Sequence, residues 1–91
     1  MIVRIMTDHQ YEVDDSLFQE LNEIDNKIVS LVERNDESFV KELKKLIQIV
    51  KDNGEKIDDS VLKNSDIIIP SEDITLEEAK KIFSGEGIFL D

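Results

Sequence analysis

The chain has 91 residues, 40% hydrophobic and 36% charged, with 22 acidic against 11 basic side chains and a formal net charge of −11. That is enough chain for one small core, so residues 1–91 are expected to form a single domain. The negative balance argues against binding nucleic acid or bare anionic membrane through phosphates, and the lack of cysteine removes disulfides, thiolate metal sites and cysteine nucleophiles.

No apolar run approaches the ~20 residues that cross a bilayer, and the opening residues lack the apolar core of a signal peptide. The expectation is a cytoplasmic protein with no direct membrane insertion. Along the chain the charge is uneven. Residues 14–34 sum to −4 and residues 54–91 to −6, whereas in 36–53 four lysines balance four acids.

The chain opens with IVRIM and YEV, both alternating, separated by the polar TDHQ. Strands over 2–6 and 10–13 are expected to form a hairpin, which needs a packing partner because two strands alone are marginally stable. Asp14, Asp15 and Ser16 offer N-cap oxygens, and Ser16 with Gln19 has capping-box spacing. Leu17, Leu21, Ile24, Ile28 and Leu31 then recur in steps of four and three, the seam of a helix running to Arg34. Asn35-Asp36 breaks it, because Asn tolerates the left-handed conformation and Asp caps the next helix. Phe39, Leu43, Leu46 and Val50 form a second seam, which Asn53-Gly54 stops. Two helices joined by so short a link fold back as an antiparallel hairpin.

The remainder is finer-grained. Asp58-Asp59-Ser60 repeats the earlier cap signal and predicts one helical turn through Val61 and Leu62. Ile67-Ile68-Ile69-Pro70 reads as a buried strand closed by proline, and Thr75-Leu76-Glu77-Glu78 opens a short helix to Phe83 through a capping box. Gly85 and Gly87 lead to a last strand at Ile88-Phe89-Leu90. The fold class expected is α+β: an N-terminal β-hairpin, a long antiparallel helical hairpin, then a strand and short helix completing a small sheet.

Chemistry-bearing residues are sparse. His9, the only histidine, sits in the polar turn beside Asp8 without a nucleophile motif, and reads as a solvated turn residue. No stretch matches the alternating acidic calcium loop, so neither a metal, a cofactor nor a catalytic residue is assigned. Asp25 falls on the flank of the first helix's apolar arc. It is expected to be a structural polar residue, at the rim or paired with Arg4, Tyr11 or a lysine. On the second helix Lys41, Lys44, Lys45 and Lys51 lie opposite the seam, with Ile49 outside the main arc. Lys41, Lys45 and Ile49 are the candidate docking residues for an acidic helical partner.

The order of elements and several phrases resemble PspAA, the PspA-associated family of prokaryotic phage-shock-type envelope-stress systems. MIVRI…QYEVDD running into LFQELNEIDNKI resembles the family's start, and SDIIIP, TLEEAKKIF and GEGIFL resemble its tail. The likeness spans nearly the whole chain, although 36–53 contributes little. It implies a non-enzymatic accessory or adaptor protein acting beside PspA, a coiled-coil protein that coats stressed membranes, and it carries no catalytic motif to transfer. Two other readings of the residues stand beside it: a self-associating structural domain forming a homo-oligomer, and a small metal- or ligand-binding protein using His9 and nearby acids.

Overall fold

The computed structural model describes residues 1–61, 63–85 and 87–89. Leu62 of the expected helical turn and Leu90 of the expected last strand lie outside the described residues. Strand β1 (Ile2–Ile5) pairs antiparallel with β2 (Gln10–Glu12), placing Val3 against Tyr11 and Arg4 against Gln10. Thr7 closes the turn with φ +67°, and the Ile5 amide donates to the His9 carbonyl at 3.1 Å.

The entry into the first helix differs from the capping-box expectation. Asp14, not Ser16, supplies the cap: its Oδ1 accepts from the Ser16 amide at 2.8 Å and opens a 3-10 turn over Asp15–Leu17. Helix α1 (Phe18–Glu33) follows without a side-chain cap of its own. The preceding turn already leads the chain into the helix, so the Ser16–Gln19 pair is not needed.

The exit from α1 follows the sequence closely. Asn35 takes φ +56°, its amide donates to Val32 O at 3.0 Å, and the Asp36 amide donates to Leu31 O at 2.9 Å. These two bonds satisfy carbonyls that the helix end leaves open. Asp36 Oδ1 then accepts from the Ser38 amide at 2.9 Å ahead of helix α2 (Phe39–Asn53). The two helices, of 16 and 15 residues, pack against one another as a hairpin.

Gly54 ends α2 in an extended conformation that leads directly into β3 (Glu55–Lys56), which pairs with β2. A Cβ at Gly54 would stand 2.7 Å from the Val50 carbonyl and 3.0 Å from the Tyr11 Cβ, so the tight return needs glycine. Asp58–Val61 closes a turn, with Asp58 accepting from the Ser60 and Val61 amides, and forms no helix. Strand β4 (Ile67–Ile69) then joins β1 in parallel, giving a four-stranded mixed sheet of order β3-β2-β1-β4. Parallel neighbours require a long crossover, and here the helical hairpin lies within it. The short helix α3 (Leu76–Ile82) carries the expected capping box between Thr75 and Glu78 and packs on α1.

Ile88 and Phe89 do not form the last strand. Their amides donate to the Asp25 carboxylate instead of to a sheet neighbour. Phe89 is buried nonetheless, its ring meeting Phe18 edge-on at 6.0 Å between centroids. One cluster gathers the inner face of the sheet (Val3, Ile5, Ile67, Ile69), the seams of α1 and α2, and Ala79, Phe83 and Phe89. The fold is therefore α+β, with the helices on one face of the sheet.

Candidate functional site

Helix α2 buries Phe39, Leu43, Leu46, Ile47 and Val50, and the intervening positions set its outer face. Lys41, Lys44 and Lys45 are exposed there, without a salt bridge among the described residues. Two expectations about this face are corrected. Ile49 is half-buried and packs against the margin of the core, because the apolar arc of α2 is wider than its seam. Lys51 does not belong to the lysine face: its Nζ reaches the hairpin turn and bonds Asp8 Oδ2 at 2.6 Å.

Around Asp8 a small polar cluster ties the hairpin to α2. The Tyr11 hydroxyl donates to Asp8 Oδ1 at 3.1 Å while Lys51 holds the other oxygen. The Lys51 hydrogen bond holds the Asp8 carboxyl below its ordinary range, and the Asp8 bond in turn raises the Lys51 ammonium. Burial, with the neighbouring carboxylate, pushes the Tyr11 phenol up. His9 is more engaged than a solvated turn residue. Its Nδ1 lies 3.1 Å from Asp59 Oδ1, and its Nε2 is 3.9 Å from Asp8 Oδ1.

This cluster fastens the hairpin turn to α2. Lys51 is 39% exposed, so the pair is solvent-screened and worth less than about 1 kcal/mol. Lys51→Gln is expected to lower stability by that amount at neutral pH. The difference should close as pH falls below 3.8, where the depressed Asp8 finally titrates; urea unfolding across pH measures it.

Asp25 is fully buried, with none of its surface exposed. Its partners are not Arg4, Tyr11 or a lysine but two backbone amides: Ile88 N at 3.2 Å and Phe89 N at 2.8 Å. Burial raises its pKa, against the opposing pull of the Phe89 and Ile88 hydrogen bonds. These two bonds tie the C-terminal segment to α1.

The outer face of the sheet, away from the helices, was not singled out from the sequence. Ile2 and Arg4 alternate onto it, and the register places Ile68 beside Arg4. Over β2 the face is covered. Gln10, 7% exposed, donates from Nε2 to Lys63 O at 2.9 Å and Ser65 Oγ at 2.8 Å. Between that covering segment and the sheet lies a cleft of about 450 Å³, lined by Arg4, Gln10, Asp58, Asp59, Val61 and Lys63 among others. The signal for this face was available: IVRIM places Ile2 and Met6 opposite Val3 and Ile5, and both sides of the strand cannot face one core.

Among the described residues no group of three or more His, Asp or Glu side chains is arranged to hold a metal, and no helix is long and apolar enough to cross a membrane. What the arrangement offers is surface: a lysine face on α2 and a partly apolar sheet face behind it. A family model described as PspAA, PspA-Associated protein, matches residues 1–91. Neither a curated protein nor a solved structure matches the chain.

Proposed function

The chain belongs to the PspAA family, whose model covers it from end to end, and on that premise we propose that it is a non-enzymatic accessory protein that binds a PspA-type coiled-coil protein through the lysine face of α2. The family match carries this reading. The surface supports it: Lys41, Lys44 and Lys45 stand exposed on a chain of net charge −11, in the one segment where basic and acidic residues balance. Coiled-coil helices present charged side chains beside their seams, and an acidic row there complements such a lysine face. Ile49, half-buried at the edge of the same helix, adds an apolar rim to the contact.

The family's place in envelope stress follows from its association with PspA. A protein of this charge reaches an anionic bilayer most readily through a second protein, and the cytoplasm is where such a partner is met.

Co-elution of the purified chain with a PspA-type protein tests the reading, and affinity is then measured by titration. Lys41→Glu with Lys45→Glu is expected to weaken the complex at least tenfold, about 1.4 kcal/mol, while leaving the melting temperature unchanged. No association at tens of micromolar with both proteins folded, or a complex indifferent to the double reversal, sinks the proposed contact.

A further inference from the structure

We propose that an apolar pocket beside the start of α1 receives a large apolar side chain from a basic amphipathic segment of another protein, whose flanking Lys or Arg side chains meet carboxylates at the rim. The pocket has a volume of about 330 Å³ and forms where three parts of the chain converge. Phe18 begins α1, Ile67 begins β4 and Ile88 belongs to the C-terminal segment, with Met1 beside them. Phe18, Ile88 and Met1 are half-buried and Ile67 is 8% exposed, so the walls are apolar surface that the core covers only in part. Ligand pockets begin at about 300 Å³, so this one suits an anchoring side chain better than a cofactor.

The walls are set in advance. Asp25 accepts from the Ile88 amide at 3.2 Å, the Phe18 ring meets Phe89 edge-on, and the Met1 carbonyl accepts from the Val13 amide at 2.9 Å. Little ordering is left to oppose binding.

Charge selects the occupant. The polar residues lining the pocket are Asp15, whose side chain is 87% exposed, and the exposed Asp66. A cleft of about 420 Å³ adjoins it, sharing Met1 and Asp15 and adding Glu12, Asp14 and Glu55. Among the described residues the one cation lining either space is the Met1 amine, which already donates to the Val13 carbonyl and to Asp15. Glu12 stands opposite Glu55 in the register of β2 and β3. Both are exposed, with no hydrogen-bond or ion-pair partner among the described residues. Like charges placed directly opposite repel, and a Lys or Arg laid beside them relieves that cost. An acidic segment or an anionic lipid surface is repelled instead. None of the residues lining the apolar pocket belongs to α2, so this site is separate from the lysine face.

An NMR titration of the intact, isotope-labelled chain tests this. The probe is a capped helical peptide with one Leu face and one Lys face; control peptides carry Glu for Lys or Ser for Leu. The Leu/Lys peptide is expected to shift the amides of Phe18, Ile67 and Ile88 first, with a Kd of about 10–100 μM that weakens as salt is added. Neither control should bind comparably. Asp15→Asn with Asp66→Asn keeps acceptors for the Met1 and Ile2 amines while removing two charges, and should weaken binding about tenfold. Ile88→Ser, which strips one apolar wall, should do the same. Glu33→Gln with Glu37→Gln makes an equal charge change beyond the other end of α1 and should alter the Kd by less than about twofold. No binding below about 1 mM overturns the proposal, as does an equal loss in the Glu33 and Glu37 variant or indifference to Ile88→Ser. Shifts at these amides that grow with protein concentration alone would make a second copy the occupant, and tighter peptide binding by Leu90→Ser would make it the chain's own end; either overturns it too.

Discussion

Asp25→Ala is expected to lower the unfolding free energy by about 3 kcal/mol, roughly a 12–20 °C fall in melting temperature for a domain of this size. The fully buried carboxylate accepts from the Ile88 and Phe89 amides. Alanine leaves the buried Phe89 donor unmatched, at about 1–3 kcal/mol, and the part-buried Ile88 donor at less. If the segment detaches to hydrate them, it forfeits the burial of Phe89 and its contact with Phe18, a loss of similar size. Relief of the desolvated charge offsets part of either cost. Amide hydrogen exchange should locate the damage, with protection lost first at Ile88 and Phe89. A melting temperature within a few degrees of the parent would show that the carboxylate holds nothing.

The same site predicts a pH signature. Burial raises Asp25 above the usual carboxylate value of 3.8, so the folded state binds its proton more tightly than the unfolded chain does. The resulting stabilisation is fully present below pH 3.8 and is lost as pH rises through the higher folded-state value. Asp14, Asp36 and Asp58, each held low by a backbone amide two residues on, act in the opposite sense, and their stabilisation is lost as pH falls below 3.8. Those groups are common to the parent and to Asp25→Asn, so they cancel in the difference. The deficit of Asp25→Asn should therefore be larger in acid than at neutral pH, and urea titrations at both ends read it directly.

How far the sequence revealed this arrangement depended on the range of the interactions. Local signals carried through: the steps of four and three in α1, the left-handed Asn35, the Thr75–Glu78 box and the alternation of β1 are each set by neighbours within one or two turns. What failed depended on distant residues. Asp25 was recognised as an acid on an apolar arc, but its partners lie 63 and 64 residues away, where nothing local marks them. Ile88 and Phe89 were read as a strand because they are apolar and follow glycines. Only the three-dimensional position of Asp25 diverts their amides from a sheet. Lys51 looked like one of four equivalent surface lysines until the hairpin turn brought Asp8 to it. The lysine face is legible from periodicity, whereas the placement of Ile68 beside Arg4 on the outer sheet face depends on β4 pairing with β1.

Gly87→Ala should reproduce much of the Asp25 defect from the other side of the contact. Gly87 has φ +80°, a region that costs a side-chain-bearing residue about 1–2 kcal/mol. A Cβ there would also stand 2.7 Å from the Asp25 Cγ, closer than such atoms approach, so the carboxylate must leave its two amides or the segment must shift. Gly85 separates the two contributions. It has φ +62° but nothing within 4 Å of a built Cβ, so Gly85→Ala should cost only the conformational term, about 1 kcal/mol. The expected loss for Gly87→Ala is about 3 kcal/mol. In an Asp25→Ala background, where the carboxylate is already gone, it should shrink toward the Gly85 value. That leaves a coupling of about 1–2 kcal/mol between the two positions. Equal losses for Gly85→Ala and Gly87→Ala, or strict additivity with Asp25→Ala, would mean that backbone conformation alone fixes the turn. Strong coupling would instead place the stability of the C-terminal segment in a single buried carboxylate that only glycine can approach.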